Sequence, residues 1–331
     1  MKNSIAIVIL NWNGKDLLKT FLPSVVNFSQ EATIYLADNA SNDNSIAFLK
    51  QEFPEVKIIQ NPENFGFSKG YNEALKQVDE ELLCLLNSDV EVTENWLQPI
   101  IEIFNKDSKT AIIQPKILDY KRKDYFEYAG AAGGYMDRYG YPYCRGRLFN
   151  SIEKDLGQYD QQVPIFWASG ACFFIRKEVF DILEGFDESF FSHMEEIDLC
   201  WRCQNIGYQV IFTPNSKVYH VGGATLDKSN PRKTYLNFRN SLFTLVKNSR
   251  DSIAFPIITR LLLDGIAGLK FLIQLKPLDF MAILKAHFSL YFNFSRLIKQ
   301  RKSLPRQVKH YHIKSIVWKY FLMGRKTFNS L

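Results

Sequence analysis

Residues 5–14 read IAIVILNWNG, six aliphatic residues followed by a polar turn. A short apolar run bounded by Asn and Gly is typical of a strand in a parallel sheet, because such a strand is buried on both faces. The run Ile5–Leu10 is too short for the hydrophobic segment of a signal peptide, and no small-residue cleavage site follows it. We therefore predict a buried first strand rather than a targeting segment.

Strand and helix signals alternate from this strand to residue 120. Further apolar runs predict strands, and apolar residues at helical spacing predict the helices between them. The strands are expected at Thr33–Ala37, Val56–Gln60 and Leu82–Leu86, and the helices at Leu17–Phe28, Ser45–Glu52 and Phe67–Val78. This alternation predicts right-handed βαβ units and a largely parallel sheet, whose ligands gather at the carboxyl ends of the strands.

The pattern changes beyond residue 120. Residues 120–165 are rich in Tyr, Gly and Arg without a clear period, and we interpret them as a long excursion that covers a bound substrate. A buried strand is expected at Ile165–Arg176, a short helix from Lys177, a helix at Glu195–Ile206, and short strands at Gln209–Phe212 and Lys217–His220. From Thr234 the chain is predicted to be helical to its end, with breaks near Pro256, Pro277 and Pro305.

Composition limits the class of protein. The 331 residues are 46% apolar and 15% aromatic, which is enough for a sizeable core. Five scattered cysteines argue against a disulfide framework and for a reducing compartment. No uncharged run reaches the roughly 18 residues that a membrane-spanning helix needs. The net charge of +6 is uneven, because residues 251–331 carry 14 Lys or Arg and 3 Asp or Glu, a balance of +11.

Polar clusters follow the predicted strands. Asp38 ends the second strand and can accept hydrogen bonds from a ligand, and Asp89 follows the fourth strand and suits Mg²⁺ or Mn²⁺ as an oxygen ligand. In the loop Asn61–Asn72, two glycines allow close backbone approach, and Lys69 can meet a phosphate near a helix N-terminus. Ordinary turn and N-cap chemistry is the alternative at each of these places.

The densest acidic cluster is Glu195, Glu196 and Asp198, followed by a strand that ends in His220. Such carboxylates suit the removal of a proton from a hydroxyl beside a metal, whereas favourable placement at a helix N-terminus is the structural alternative. Asp198 and Arg202 are four residues apart and are predicted to pair on the helix. His220 can bind a metal as neutral imidazole, or it can be a structural residue at a strand end.

Taken in order, these segments resemble family 2 of the glycosyltransferases, in its rhamnosyltransferase-like branch. The resemblance spans about residues 4–225 and is carried by VILNWNG, LADNASND, NPENFGFSKGYN, LLNSDV, SGACFFIRKEVF, GFDESFFSHMEEIDLCWR, GYQVIFTP and VYHVGG. It implies the GT-A fold, an α/β architecture with a Rossmann-like, mixed and mostly parallel sheet flanked by helices, and a C-terminal α-helical extension. We accordingly expect a catalytic, nucleotide-sugar-binding domain over residues 1–233 and a basic, aromatic-rich helical region over residues 234–331.

The resemblance also implies roles for individual residues. Asp89 occupies the last position of the family's Asp-x-Asp motif, with Asn87 in the first, and would hold a divalent cation, Mg²⁺ or Mn²⁺, together with His220. The family's Glu-Asp catalytic pair falls on Glu195 and Glu196, which makes Glu196 the expected base but leaves open which of the two makes the reacting contact. The expected donor-binding residues are Trp12, Asn13, Asp38, Asn64, Gly66, Lys69, Asn87 and Ser88, and the expected acceptor-binding residues are Trp167, Gly170 and Asp198.

The activity implied by the resemblance is inverting transfer from a UDP- or dTDP-sugar, with rhamnose as a candidate sugar. The acceptor would be lipid-linked or a glycan, in the synthesis of a cell-surface polysaccharide. One alternative is a catalytically inactive, membrane-bound binding subunit, suggested by Asn87 and Glu196. Another is a sugar nucleotidyltransferase, which would require a Gly- and Arg-rich phosphate loop after the first strand, where this chain has NWNGKDLL. A dehydrogenase is disfavoured because no G-x-G-x-x-G motif stands there.

The basic region after Thr234 mixes aromatic and aliphatic stretches with Lys and Arg. Basic amphipathic helices with aromatic residues bind anionic membrane surfaces, so we expect a cytoplasmic protein attached peripherally to the inner face of the cell membrane. The alternative is a helical cap on the catalytic domain with solvated charges. Nucleic-acid binding is not expected, because the apolar content is high and no nucleic-acid motif appears.

Overall fold

A computed structural model describes residues 4–222, 230–303, 305 and 308–331. Its first ten elements are β1 (Ile5–Asn11), α1 (Lys15–Phe28), β2 (Thr33–Asp38), α2 (Ser45–Glu52), β3 (Lys57–Gln60), α3 (Gly66–Leu75), β4 (Leu82–Asn87), β5 (Val90–Val92), α4 (Gln98–Lys106) and β6 (Thr110–Asp119). The others are β7 (Gly134–Met136), β8 (Pro142–Cys144), β9 (Arg147–Leu148), β10 (Ser151–Ile152), β11 (Val163–Pro164), β12 (Cys172–Arg176), α5 (Lys177–Ile182), α6 (Glu195–Asn205), β13 (Gln209–His220), α7 (Pro231–Asn248), α8 (Ala254–Ile273) and α9 (Pro277–Ser303). Gly223, which ends the motif VYHVGG, lies outside the described residues.

The main sheet has the order β11-β13-β6-β12-β4-β1-β2-β3, with β5 paired to β13. β1 runs parallel to both β2 and β4, whereas β12 is antiparallel to β4 and β6. Because β2 lies on one side of β1 and β4 on the other, the sheet has a topological switch point beside β1. The register places Asn11 opposite Asp38 and Leu10 opposite Asn87, so the polar strand ends converge at this point.

Apolar layers cover both faces of β1 and explain its uninterrupted aliphatic sequence. Ile5, Ile7 and Ile9 belong to the layer that includes α1 residues, while Ala6 and Val8 belong to the layer that includes α3 residues. A strand that alternated polar and apolar residues would bury polar groups in one of these layers. The predicted α/β class with a mostly parallel sheet is confirmed.

Three predicted strands are wrong in extent. The strand expected at Ile165–Arg176 is limited to β12, because the chain at Trp167 bridges to Gly134 instead of joining the main sheet. β13 is one strand rather than two, since it pairs with β6 on both sides of a register shift between Thr213 and Lys217. The aperiodic excursion contains a small antiparallel sheet of β7 to β10, whose strands are too short to show a period.

The C-terminal helices are α7, α8 and α9. The prediction of helix to the chain end is wrong, because the described residues after Ser303 form only short turns of helix, at Trp318–Leu322 and Phe328–Ser330. The expected breaks near Pro256 and Pro277 are confirmed, since α7 ends at Asn248 and α8 begins at Ala254, and α9 begins at Pro277. Pro256 itself lies in the first turn of α8, where its missing N–H is not needed. α7 begins three residues before the predicted domain boundary at 234 and packs against α6, and that boundary stays a prediction. No helix within the described ranges is long and apolar enough to cross a membrane.

Candidate active site at the carboxyl edge of the sheet

The loops after β1 and β2 are hydrogen-bonded to each other. Asp38 is buried, and its carboxylate accepts from the Asn11 amide at 3.0 Å and from the Ser41 backbone N–H at 2.9 Å. Asn13 has a positive φ of 52°, and its backbone N–H donates to the Ser41 hydroxyl at 2.9 Å. Trp12 stands beside this junction and is 55% exposed. An exposed indole next to a fixed carboxylate can flank and recognise a planar base.

The loop before α3 lies against the end of β2. The Asn64 side chain accepts from the Gly66 N–H at 2.9 Å, and the Gly66 carbonyl accepts from Asn39 at 2.9 Å. Gly66 has a φ of +72°, and a Cβ there would lie 2.9 Å from the Phe191 ring, so only glycine fits this position. The Lys69 ammonium lies 3.9 Å from the centre of the Phe65 ring. The loop therefore brings the Gly66 backbone and the Lys69 ammonium close to the end of β2, beside the switch point.

Asp89 and His220 are in contact, because β5 pairs with the end of β13. His220 Nε2 lies 3.1 Å from Asp89 Oδ1 and 3.5 Å from the Asn87 amide, and its Nδ1 lies 3.3 Å from Glu127 Oε1. Burial alone would lower the pKa of His220, but the carboxylates of Glu127 and Asp89 outweigh it and raise the pKa to about 10. Ser88 precedes this group and faces Gly14.

The pair can hold a divalent cation once the cation displaces the proton of His220, because only a neutral imidazole binds a metal. Bonds of about 2.1 Å at right angles separate neighbouring ligands by about 3.0 Å, close to the observed 3.1 Å between His220 Nε2 and Asp89 Oδ1. Across the part of the chain that the structure describes, no group of three or more His, Cys, Asp or Glu side chains is arranged to hold a metal ion. The pair is therefore a partial ligand set, which a ligand such as a diphosphate would have to complete.

Glu195 and Glu196 begin α6, after a residue in the left-handed region, Met194 with a φ of 73°. Burial raises the pKa of Glu196 to about 7, although backbone N–H groups at the helix start and at Gly170 lower it in part. Burial and the charge of Glu196 raise the pKa of Glu195 well above its usual range. One carboxylate oxygen of each has no hydrogen-bond partner among the described residues. Glu196 can thus act as a base near neutral pH.

Contacts join the acidic pair to the Asp89 region. The Asn87 N–H donates to the carbonyl of Ala171 at 3.0 Å, and a Cβ added to the preceding Gly170 would lie 3.8 Å from the carboxyl carbon of Glu196. The end of β4 and the start of α6 therefore meet across Gly170. A surface groove lined by Pro99, Thr110, Gln162 and Gln209 lies instead at the amino ends of β6 and β13 and contains none of the predicted site residues.

Two predicted acceptor residues are packed into the protein. Trp167 is buried, and its indole N–H donates to the Tyr135 carbonyl at 2.8 Å. Asp198 is fully buried and accepts from Arg202 at 2.7 Å, from Lys247 at 2.8 Å and from Asn248 at 2.7 Å. The predicted pair with Arg202 is confirmed. An acceptor could reach Asp198 only by breaking this network, so the geometry argues against its assignment to acceptor binding.

Two residues that the sequence did not indicate support the site. Glu127, from the aperiodic excursion, contacts the second nitrogen of His220. Asn240 of α7 is fully buried and donates to the carbonyls of Phe190, Ser192 and His193 at 3.1, 2.9 and 2.7 Å. Asparagine inside a helix is a weak signal that could have pointed to Asn240, whereas no periodicity or motif distinguishes Glu127.

Comparisons with known proteins agree with this architecture. The sequence profile described as "Glycosyl transferase family 2" matches residues 5–183. The chain is 22% identical over 235 residues to the N-acetylglucosaminyl-diphospho-decaprenol L-rhamnosyltransferase of Mycobacterium tuberculosis, covering 66% of this chain and 76% of that one. It is 22% identical over 263 residues to the dTDP-rhamnosyl transferase RfbF of Shigella flexneri, covering 75% and 82%. The solved structure of GalNAc-T7 with UDP, GalNAc and Mn²⁺ is similar in fold, with a TM-score of 0.60 and 15% identity, over 89% of this chain and 57% of that one.

Proposed function

Because the chain belongs to glycosyl transferase family 2 and has the GT-A fold, we propose that it is a metal-dependent, inverting glycosyltransferase. The donor is a UDP- or dTDP-sugar, and the candidate sugar is rhamnose. The observation that carries the proposal is that Asn87 links the two regions: its amide lies 3.5 Å from His220, and its backbone N–H donates to Ala171, next to the Gly170 that faces Glu196. The names of the mycobacterial and Shigella relatives support rhamnose, and the UDP in the GalNAc-T7 structure supports a nucleoside diphosphate leaving group.

The donor would lie across the ends of β1, β2 and β4. Asp38 and Trp12 are proposed to contact the nucleoside, since one supplies a fixed carboxylate and the other an exposed ring. Asp89 and His220 would hold Mg²⁺ or Mn²⁺, with Glu127 orienting the imidazole. When bound, the cation would neutralise the charge of the leaving diphosphate.

Glu196 is proposed as the base that takes the proton from the acceptor hydroxyl. Its pKa of about 7 allows it to be ionised before attack and still basic enough to accept a proton. The hydroxyl oxygen then bonds to the anomeric carbon as the bond to the diphosphate oxygen breaks, and the electron pair leaves with the diphosphate. Displacement from the opposite face inverts the anomeric configuration.

The acceptor is proposed to be a lipid-linked saccharide or a glycan in the synthesis of a cell-surface polysaccharide. Gly170 lies next to Glu196, since a Cβ there would be 3.8 Å from the carboxyl carbon, and it is the predicted acceptor residue that lies beside the proposed base. The positive balance of residues 251–331 favours attachment to an anionic membrane surface on the cytoplasmic side, where a lipid-linked acceptor would be presented.

Transfer assays with carboxamide variants test the proposal. With a UDP- or dTDP-sugar and Mn²⁺, Glu196→Gln is expected to reduce kcat by about 10²–10⁴-fold while donor affinity by calorimetry is retained. Glu178→Gln is the matched control, because Glu178 is exposed in the first turn of α5. Unchanged transfer by Glu196→Gln would refute the base assignment. Donor binding by the wild type without turnover on any acceptor would favour the inactive binding subunit.

A further inference from the structure

The outer face of α8 carries a stripe of exposed apolar side chains. Its members recur every three or four residues, and we call them the α8 stripe: Phe255, Ile258, Leu262, Ile266, Leu269 and Ile273, exposed by 59, 60, 67, 64, 57 and 83%. At 100° per residue they fall on one side of the helix. A soluble face would carry polar residues at these positions, so the stripe is an unusual surface.

The direction of the stripe is fixed by the opposite face of the helix. Arg260 and Asp264 are buried and paired at 2.7 Å, and Arg260 also donates to the Ser241 hydroxyl of α7 at 2.6 Å. The Tyr141 hydroxyl donates to Asp264 at 2.7 Å. Rotating α8 to bury the stripe would expose or break this network, which is unfavourable for a buried ion pair.

The stripe continues into neighbouring exposed apolar residues with cations at its edges. Leu275 and Leu278, in and after the turn between α8 and α9, are exposed by 88 and 66%. The Lys270 ammonium lies 5.3 Å from the ring of Phe321, which is also exposed, and Lys276 is exposed in the turn. Apolar residues rimmed by Lys are the pattern that an anionic lipid surface attracts.

We propose that the α8 stripe and the α8–α9 turn insert into an anionic lipid leaflet, with α8 lying in the plane of the interface. This proposal rests on the membrane attachment given in the proposed function, and it identifies the α8 stripe and the α8–α9 turn as the surface that contacts the membrane. A helix of 20 residues is about 30 Å long and presents its stripe along that length. A second copy of the chain is a less suitable occupant, because its own α8 and α8–α9 turn offer Lys270 and Lys276 no negative charge beyond the buried Asp264, whereas an anionic leaflet does.

The test is flotation of the full chain with vesicles of phosphatidylglycerol and phosphatidylcholine, compared with phosphatidylcholine alone. Leu262→Gln/Ile266→Gln is expected to lower the partition coefficient at least about tenfold, since two large side chains no longer enter hydrocarbon. Leu156→Gln/Ile182→Gln is the matched control, because these residues are exposed by 77 and 61% outside the stripe. Lys270→Glu/Lys276→Glu is expected to lower binding only to the anionic vesicles, by roughly fivefold per charge.

Turnover of donor with a soluble acceptor is measured on the same preparations and is expected to be unchanged, which separates this proposal from the proposed activity. Equal flotation of the wild type, the stripe variant and the control would overturn the proposal. So would light scattering that shows a dimer dissociated by Leu262→Gln/Ile266→Gln in a protein that binds no vesicles, because the face would then be a self-association surface.

Discussion

Asn240→Ala tests whether α7 positions Glu195 and Glu196, the proposed catalytic pair. Residues 190–194, which we call the α6 loop, contain three non-glycine residues with positive φ: Phe191 at 65°, His193 at 69° and Met194 at 73°. Each such conformation costs of the order of 1–3 kcal/mol and persists only when its surroundings enforce it. The Asn240 amide donates to three carbonyls of this loop and is the contact that the substitution removes.

These contacts determine how much kcat is expected to fall. Removing the two N–H donors takes this partner from the part-buried carbonyls of Ser192 and His193, at up to about 1–3 kcal/mol for each group, whereas the Phe190 carbonyl keeps its bond from Arg239. This is comparable to the strain in the loop, so the loop is expected to relax and to shift Glu196, which follows Met194 by two residues. A kcat loss of about 10–100-fold is expected, with a smaller rise in the donor KM, since Phe191 of the loop contacts Gly66 but the proposed donor contacts at the ends of β1 and β2 are retained.

Steady-state kinetics over pH 5 to 9 is the assay. Burial raises the pKa of Glu196 to about 7, and a loosened loop admits water, so the acid limb of the kcat profile should move to lower pH in Asn240→Ala. Asn237→Ala is the matched control, because Asn237 lies one turn earlier on α7 and its amide donates only to the Lys233 carbonyl within the helix. A lower melting temperature for Asn240→Ala with unchanged kcat and pH profile would refute the positioning role.

Three further outcomes are expected. Lys247→Met removes the cation that Asp187 and the buried Asp198 share, although Asp198 keeps Arg202, and should lower the free energy of unfolding in urea by about 3 kcal/mol, whereas Lys76→Met at an exposed pair should change it by about 1 kcal/mol or less. Gly70→Ala places a Cβ 2.8 Å from the Asn39 amide, which holds the Gly66 carbonyl. The displaced loop should raise the donor KM severalfold, with little change in kcat, in steady-state kinetics. Burial raises the pKa of Glu196 to about 7, so its protonated form stabilises the folded protein. This stabilisation is complete below about pH 4.5 and is lost as the pH rises through about 7. The melting temperature of the wild type should therefore fall relative to that of Glu196→Gln over this interval. An unchanged urea midpoint, an unchanged donor KM or a constant difference in melting temperature would contradict each in turn.

Local patterns predicted the first half of the fold because each element there has its own period. The strands at Ile5–Asn11 and Leu82–Asn87 are buried on both faces, so their apolar runs are continuous and easy to identify. β6 was not predicted, although nine of its ten residues are buried, because it contains Gln114 and Lys116. Lys116 is accommodated by its ion pair with Asp155, a partner that lies far along the chain.

The surroundings of Asp198 likewise include contacts that local sequence patterns do not predict. Sequence spacing predicted the Asp198–Arg202 pair, since four residues make one turn of helix. It did not predict that Lys247 and Asn248 complete the burial of Asp198, because α7 reaches α6 only through tertiary packing. The acceptor assignment for Asp198 therefore lost support from contacts that no local pattern contains.

Local sequence patterns were sufficient to identify the family, the alternation of strands and helices, and the polar residues that end each parallel strand. Those features depend on local periodicity and on the shared direction of parallel strands. Three other features became visible only in the folded chain: Glu127 contacts His220, Asn240 donates to carbonyls of the α6 loop, and the α8 stripe faces outward. The reason is physical, since these features arise between residues 47 or more positions apart, or from the side of a helix that its buried ion pair selects.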